Sequence, residues 1–148
     1  MGRRKDPGED ILLNPSVING VHHITLTVSD LARSDAFYRH HFGFQPLVDL
    51  GSRRLFTNGH FILAITLPSD PDAPIPDDDR FSENRIGLDH ISFSVGSLAE
   101  LEAAAAYFDA QGVTRGEIRN LGSGFGIYVM AVRDPDNIQL ELTAPYAP

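Results

Sequence analysis

The sequence reads GVHHITLTVSDL from Gly20 to Leu31, and a close variant, GLDHISFSVGSL, follows from Gly87 to Leu98. In both copies apolar and polar residues alternate strictly, which is typical of a β-strand whose two faces meet different surroundings. The polar face carries His23 and two threonines in the first copy, and His90 and two serines in the second. Two histidines in equivalent positions of two repeats indicate one shared site.

The composition narrows the class of protein. The chain has 148 residues, a net charge of −8 and no cysteine. That length fits one domain with a hydrophobic core, and the negative charge argues against nucleic acid or an anionic membrane as a partner. The lack of cysteine excludes disulfides, thiolate metal sites and a cysteine nucleophile. Since no segment has the pattern of a membrane span or a signal peptide, we expect a cytoplasmic protein that binds a small molecule.

The repeat also divides the chain. We interpret residues 1–18 as a polar tail and residues 19–145 as one domain of two modules, at about 21–67 and 87–143. An acidic, proline-rich connector over residues 68–86 should be a solvated loop. Each module reads as a strand, a helix and three strands. The prediction is an α+β fold of two βαβββ modules, with helices on one sheet face and the other face free.

Capping residues place both helices. Asp30 is a suitable N-cap for a helix over about 31–42, which Gly43 closes. Ser97 and Glu100 have the spacing of a capping box, and the second helix should end at Gly112. The other strands are predicted at 47–50, 54–57, 61–67, 117–120, 126–132 and 138–143, with a proline-containing turn at 134–137 before the last.

The alternation extends to the last strand. Leu140 and Leu142 should face the helices, so Glu141 should share the face of His23 and His90. Two histidines and a carboxylate on one concave face form a facial triad with open coordination positions. A lone sheet histidine is more often simply hydrogen-bonded, but three ligand types in register favour a metal. We therefore expect one divalent ion, Fe, Mn, Ni, Co or Zn, bound by these three residues.

The same face should supply a substrate pocket with some polar and many apolar walls. Such a pocket suits a substrate with an oxygenated end and a hydrocarbon or aromatic body. An arginine beside a turn could meet an anionic substrate. His22 has the opposite parity, and we expect it to pack or to cap. The candidate pocket residues are Thr25, Arg54, Ala64, Ser92, Ile127 and Val129.

These motifs resemble the vicinal oxygen chelate superfamily, which includes glyoxalase I, bleomycin-resistance proteins, fosfomycin-resistance thiol transferases, methylmalonyl-CoA epimerases and extradiol dioxygenases. The resemblance rests on residues 23–31, 37–38, 42–44, 90–95 and 134–142. It implies a glyoxalase/dioxygenase-like fold with a metal site on the concave sheet face. The family's ligands would fall on His23, His90 and Glu141. The resemblance also implies a homodimer in which His23 of one chain meets the other two ligands of its partner.

Departures from the family pattern narrow the expected activity. Glyoxalase I and the epimerases place a fourth ligand, Glu or Gln, where this chain has Ala64, and fosfomycin-type enzymes have a tyrosine where it has Ala131. The catalytic His and Tyr of the extradiol enzymes find no counterpart. We therefore expect a metal-dependent dioxygenase, lyase or transferase other than glyoxalase I, acting on a small oxygenated substrate. The alternative is a non-catalytic protein of the bleomycin-resistance type that sequesters a small molecule or antibiotic. The absence of tryptophan weakens that alternative.

Overall fold

A computed structural model describes residues 18–70 and 72–147. The polar tail predicted for residues 1–18 lies outside the described residues, apart from Ile18. The first module contains β1 (His23–Thr27), α1 (Leu31–Phe42), β2 (Gln45–Asp49), β3 (Arg53–Thr57) and β4 (Ile62–Thr66). The second contains β5 (Ile91–Ser94), α2 (Leu98–Gln111), β6 (Arg119–Asn120), α3 (Gly122–Phe125), β7 (Ile127–Arg133) and β8 (Gln139–Pro145). The order βαβββ therefore occurs twice, with the short α3 added in the second module.

Each module forms one four-stranded mixed sheet. The strand orders are β1-β4-β3-β2 and β5-β8-β7-β6. The first and last strands of each module pair in parallel, and the other pairs are antiparallel. The predicted α+β class is confirmed. β5 lies directly beside β8. Because His90 immediately precedes β5 and Glu141 lies in β8, the second sheet brings these two residues close together.

Both predicted helix caps are confirmed. The Asp30 side chain accepts a hydrogen bond from the backbone N–H of Arg33, and Gly43 ends α1 in the left-handed region at φ 68°. Ser97 accepts from the N–H of Glu100 in α2. The carboxylate of Glu100 accepts in return from the N–H of Gly96, at 2.6 Å. Both helices thus begin and end where their capping residues place them.

Strand boundaries differ more from the prediction. β2 begins at Gln45, before the predicted start at residue 47, and all five of its residues are exposed. An exposed edge strand has no alternation between buried and exposed residues, so its pattern carries little signal. The strand predicted over 117–120 is reduced to Arg119–Asn120. α3 was not predicted, because its two glycines disfavour a helix.

The two modules share one hydrophobic core between the sheets and the helices. Tyr38, Leu63, Leu101 and Met130 are among its fully buried members. Phe93 lies at the junction, where its ring contacts aromatic rings of the first module. The described residues of the connector form turns and bends and no helix or strand. Among the described residues, no helix is long and apolar enough to cross a membrane.

Candidate metal centre

His90 immediately precedes β5, on the face that carries Ser92, and 38% of its side chain is exposed. Its Nδ1 lies 2.6 Å from a carboxylate oxygen of Asp89. An ionised carboxylate can only accept a hydrogen bond, so Nδ1 must carry the proton of this bond. In the neutral imidazole, Nε2 then keeps its lone pair and is free to bind a cation.

Glu141 faces that lone pair from the neighbouring strand. It pairs in register with Ser92, and its Oε1 lies 3.7 Å from Nε2 of His90. The hydroxyl of Thr143 donates to the same Oε1 at 3.1 Å, and Ser92 hydrogen-bonds to Thr143 in turn. These hydroxyls hold the Glu141 carboxylate in place on the sheet face.

The chemistry of this donor pair fits a divalent cation. Two ligand atoms bound at about 2.0–2.2 Å to a tetrahedral or octahedral ion lie roughly 3–3.5 Å from each other. The separation of 3.7 Å between His90 Nε2 and Glu141 Oε1 is close to that range, and both side chains are accessible. A small rotation of either side chain would bring both atoms to one ion.

His23 occupies the equivalent place in the other sheet. It is exposed on the face of β1 that also carries Thr25. Its Nδ1 lies 2.9 Å from Nδ1 of His22, whose ring stands edge-on to it. His22 is therefore exposed and bound to its neighbour, and the expectation that it packs or caps was wrong. Within the described part of one chain, no group of three His, Asp or Glu side chains could hold a metal ion. One chain thus brings together His90 and Glu141 but not His23.

The strand register identifies the residue at the position where glyoxalase I and the epimerases have a fourth ligand. Thr25 pairs with Ala64 between β1 and β4, as Ser92 pairs with Glu141 between β5 and β8. Ala64 is therefore the counterpart of Glu141 in the first module, and its side chain is 2% exposed. A methyl group stands where a carboxylate would complete a symmetric pair of ligands.

Most of the candidate pocket residues lie on the faces assigned to them. Val129 pairs with Thr143, and Ala131 pairs with Glu141, which puts both beside the carboxylate on one sheet face. Ile127 lies two residues before Val129 on the same side of β7 and is half-buried. These side chains form an apolar wall next to the polar row of β5 and β8.

The connector lines part of a cavity beside β1. The cavity has a volume of about 470 Å³ and is lined by Thr25 together with connector residues such as Ile75 and Phe81. That volume lies within the range of small-molecule sites. The connector thus lines a space along the edge strand β1, and none of His23, His90 and Glu141 lines that space.

Arg54 lies elsewhere. Its guanidinium pairs with Asp35 of α1 and is 3.5 Å from Asp49. It shares the side of β3 with Phe56, which is 1% exposed in the core. Arg54 therefore belongs to the helix side of the first sheet, and we leave it out of the proposed site.

The residues that hold His90 were not predicted from the sequence. Asp89, Gln139, Arg133 and Glu83 form a chain of hydrogen bonds that ends at the imidazole. Hydrogen bonds from Arg133 lower the pKa of Glu83 to about 2. The available signal was the position of Asp89, which directly precedes His90 as His22 precedes His23.

Comparison with known proteins identifies the family. Residues 20–142 match the model of the Glyoxalase/Bleomycin resistance protein/Dioxygenase superfamily. The chain belongs to this superfamily. The predicted resemblance is confirmed, and the fold of two βαβββ modules is the one its structural neighbours share.

Relatives in this superfamily include both uncharacterised proteins and enzymes. The chain is 32% identical over 136 residues to the uncharacterized protein YwkD of Bacillus subtilis (strain 168), covering 85% of this chain and 97% of that protein. It is 33% identical over 129 residues to the metallothiol transferase FosB of Shouchella clausii (strain KSM-K16), covering 85% and 80% respectively. The structure of the fosfomycin resistance protein FosX from Listeria monocytogenes aligns with a TM-score of 0.67 at 26% identity, covering 87% of this chain and 95% of that one.

Proposed function

We propose that this protein is a divalent-metal-dependent enzyme that binds a small oxygenated substrate through an ion held by His23, His90 and Glu141. The observation that carries the proposal is the pair of metal-binding atoms on the open sheet face, Nε2 of His90 and Oε1 of Glu141, 3.7 Å apart. Among the described residues, no Lys or Arg side chain forms an ion pair with Glu141, and Arg133 pairs with Glu83 instead. The name of the FosB relative, a metallothiol transferase, supports metal-assisted chemistry in this branch of the superfamily.

The chain's own residues have separable tasks at this site. The bound ion would supply Lewis acidity that polarises a substrate oxygen. Glu141 and His90 hold the ligand positions, and the hydroxyls of Thr143 and Ser92 keep the carboxylate oriented. The wall that includes Val129 excludes water from one side, which favours a substrate with an apolar body.

We further propose that a second copy of the chain supplies His23. β1 and β5 are both edge strands, so each has one side without a pairing strand among the described residues. Exposed apolar side chains precede both histidines: Val21 is 73% exposed, Leu88 is 45% exposed and Ile86 is fully exposed. A symmetric dimer would cover these side chains and would build two identical sites at once.

The reaction class depends on the native metal. Iron would favour dioxygenase chemistry, because its open coordination positions take both oxygen and substrate. Manganese, nickel, cobalt or zinc would favour a lyase or a transferase. The relationship to FosB makes group transfer from a thiol the first reaction to test. Oxygen uptake with catechols and other vicinal diols is the second test.

A complementation experiment tests the shared site. His23→Ala and Glu141→Ala chains carrying different affinity tags are co-expressed, and mixed dimers are purified and assayed for metal. In a shared site, one of the two positions keeps all three ligands, so mixed dimers should hold one ion where the wild type holds two. Each variant alone should hold none, and His40→Ala, at an exposed position of α1 on the helix side of the sheet, should retain both.

Three outcomes would contradict the proposal. Metal-free mixed dimers, beside a wild type that binds metal, would place all ligands on one chain. A monomer in solution would exclude a shared site. A wild type that takes up no Fe, Mn, Ni, Co or Zn would favour the sequestering protein instead.

A further inference from the structure

Hydrogen bonds through four side chains link the connector, residues 68–86, to His90. Arg133 donates to both carboxylate oxygens of Glu83, at 2.6 and 2.9 Å, and to Oε1 of Gln139 at 3.0 Å. Gln139 donates from Nε2 to Asp89 at 3.0 Å, and Asp89 accepts from His90 at 2.6 Å. We call Glu83, Arg133, Gln139 and Asp89 the His90 relay.

The direction of every bond in the relay is fixed by the arginine, which only donates, and by the carboxylates, which only accept. A guanidinium has donors only, so the oxygen of the Gln139 amide must face Arg133. The amide nitrogen then faces Asp89, and the Asp89 carboxylate can only accept. The last donor must therefore be Nδ1–H of His90, which leaves Nε2 as the bare nitrogen toward Glu141.

The first module has no such arrangement. There Nδ1 of His23 is bonded to His22, at 2.9 Å. A second imidazole can donate or accept, so this contact does not decide which nitrogen of His23 carries the proton. The two equivalent histidines thus differ in how firmly their neighbours hold the ring.

We infer that the His90 relay is a positioning device that fixes His90 in the Nδ1–H tautomer and so sets the metal affinity of the site. The tautomer holds in the metal-free protein, whereas the effect on affinity rests on the proposed function. Partners of a metal-binding histidine that fix its ring typically change metal affinity 10–100-fold when they are removed. Because Glu83 belongs to the connector, the relay also ties the connector to a ligand of the site.

The test separates the tautomer from the metal. Two-bond ¹H–¹⁵N spectra of metal-free, ¹⁵N-histidine-labelled protein at pH 8 should show the Nδ1–H form for His90. In Asp89→Ala this preference should be lost while the signals of His40, an exposed histidine of α1, stay unchanged as an internal control. Asp89→Asn, whose amide oxygen can still accept, should keep the preference in part.

Metal titration then measures the consequence. Asp89→Ala should raise the Kd for Zn²⁺ or Mn²⁺ by about 10–100-fold, Asp89→Asn by less, and Glu83→Gln by the least, because it lies farthest along the relay. Asp78→Ala, an exposed aspartate of the same connector, should match the wild type.

The outcomes are distinguishable. A wild-type His90 in the Nε2–H form, or a tautomer that Asp89→Ala leaves unchanged, would overturn the relay. A changed tautomer with an unchanged Kd would overturn its effect on the metal. A correct tautomer response in a wild type that binds no metal would uphold the positioning and refute the proposed function alone.

Discussion

The hydroxyl of Tyr38 donates a 2.7 Å hydrogen bond to Asp134, and this bond joins the two modules. Tyr38 lies in α1 and is fully buried, while Asp134 begins the turn between β7 and β8 and is 5% exposed. Burial raises the pKa of Asp134, against the lowering effect of the Tyr38 hydroxyl and of the backbone N–H groups of Ile138 and Asp136. Burial and the neighbouring carboxylate likewise raise the pKa of Tyr38 above its ordinary value.

Tyr38→Phe should therefore destabilise the fold by about 1–3 kcal/mol, because it leaves a buried carboxylate oxygen without its partner. Urea unfolding at pH 7 measures the loss. Tyr107→Phe is the matched control, since that hydroxyl is at the surface and contacts His41 at 3.1 Å. The control should stay within about 0.5 kcal/mol of the wild type. If the two substitutions lower the free energy of unfolding equally, the Tyr38–Asp134 hydrogen bond contributes no more to stability than a surface hydroxyl does.

The sequence predicted this turn but not its role. A proline-containing hairpin turn at 134–137 follows from local residue types. In the structure Asp136 also accepts from the backbone N–H of Ser29 at 3.0 Å and from Arg33 at 3.3 Å. Those residues lie at the start of the first helix. Contacts between distant segments leave no local periodicity, so the joint between the modules could not be predicted.

The candidate site was predictable where strand parity determines it. Alternation put Glu141 on the face of Ser92, and the structure places the two in register. Parity did not reveal the Asp89 contact, which depends on a side-chain rotamer at the end of a loop. Nor did it reveal that Arg54 pairs with Asp35 on the helix side. Whether His23 meets His90 and Glu141 within one chain or between two is a matter of assembly, which local patterns do not determine.

The Glu83–Arg133 pair predicts a specific response to acid. In the folded protein the pKa of Glu83 is about 2, against an ordinary 4.5. A carboxyl with a lowered folded-state pKa stabilises the fold above its unfolded-state pKa, and loses that contribution as the pH falls through its folded-state pKa. The stability difference between wild type and Glu83→Gln should thus be constant above pH 5 and should shrink between about pH 4.5 and 2.

Urea unfolding across that range gives the difference, and the ¹³C carboxyl shift of Glu83 gives its titration directly. Glu102→Gln, at an exposed position of α2, is the control and should show no such trend. A Glu83 carboxyl that titrates at its ordinary value would mean that Arg133 does not hold it in solution.

Ala64 predicts the absence of one activity. It takes the register position opposite Thr25 that Glu141 takes opposite Ser92, so the place of a second carboxylate is filled by a methyl group. General acid–base assistance alone contributes roughly 10²–10⁴ in rate. The protein should show negligible isomerisation of the methylglyoxal–glutathione adduct with Fe, Mn, Co, Ni or Zn. Each assay needs a parallel measurement of bound metal, and robust turnover with nickel or zinc would contradict this expectation.

His90→Ala should abolish metal binding and leave the stability of the metal-free fold almost unchanged. His90 is 38% exposed on the sheet face opposite the core, so the metal-free variant should unfold within about 0.5 kcal/mol of the metal-free wild type. A ligand that binds only the folded state stabilises it by about 2.7 kcal/mol at 100 times its Kd. The wild type should gain stability of that order when divalent metal is added after chelation, and His90→Ala should gain none. Thermal unfolding with and without metal measures both quantities, with His40→Ala in α1 as the control that keeps the gain. A variant with full metal content would show that His90 is not a ligand.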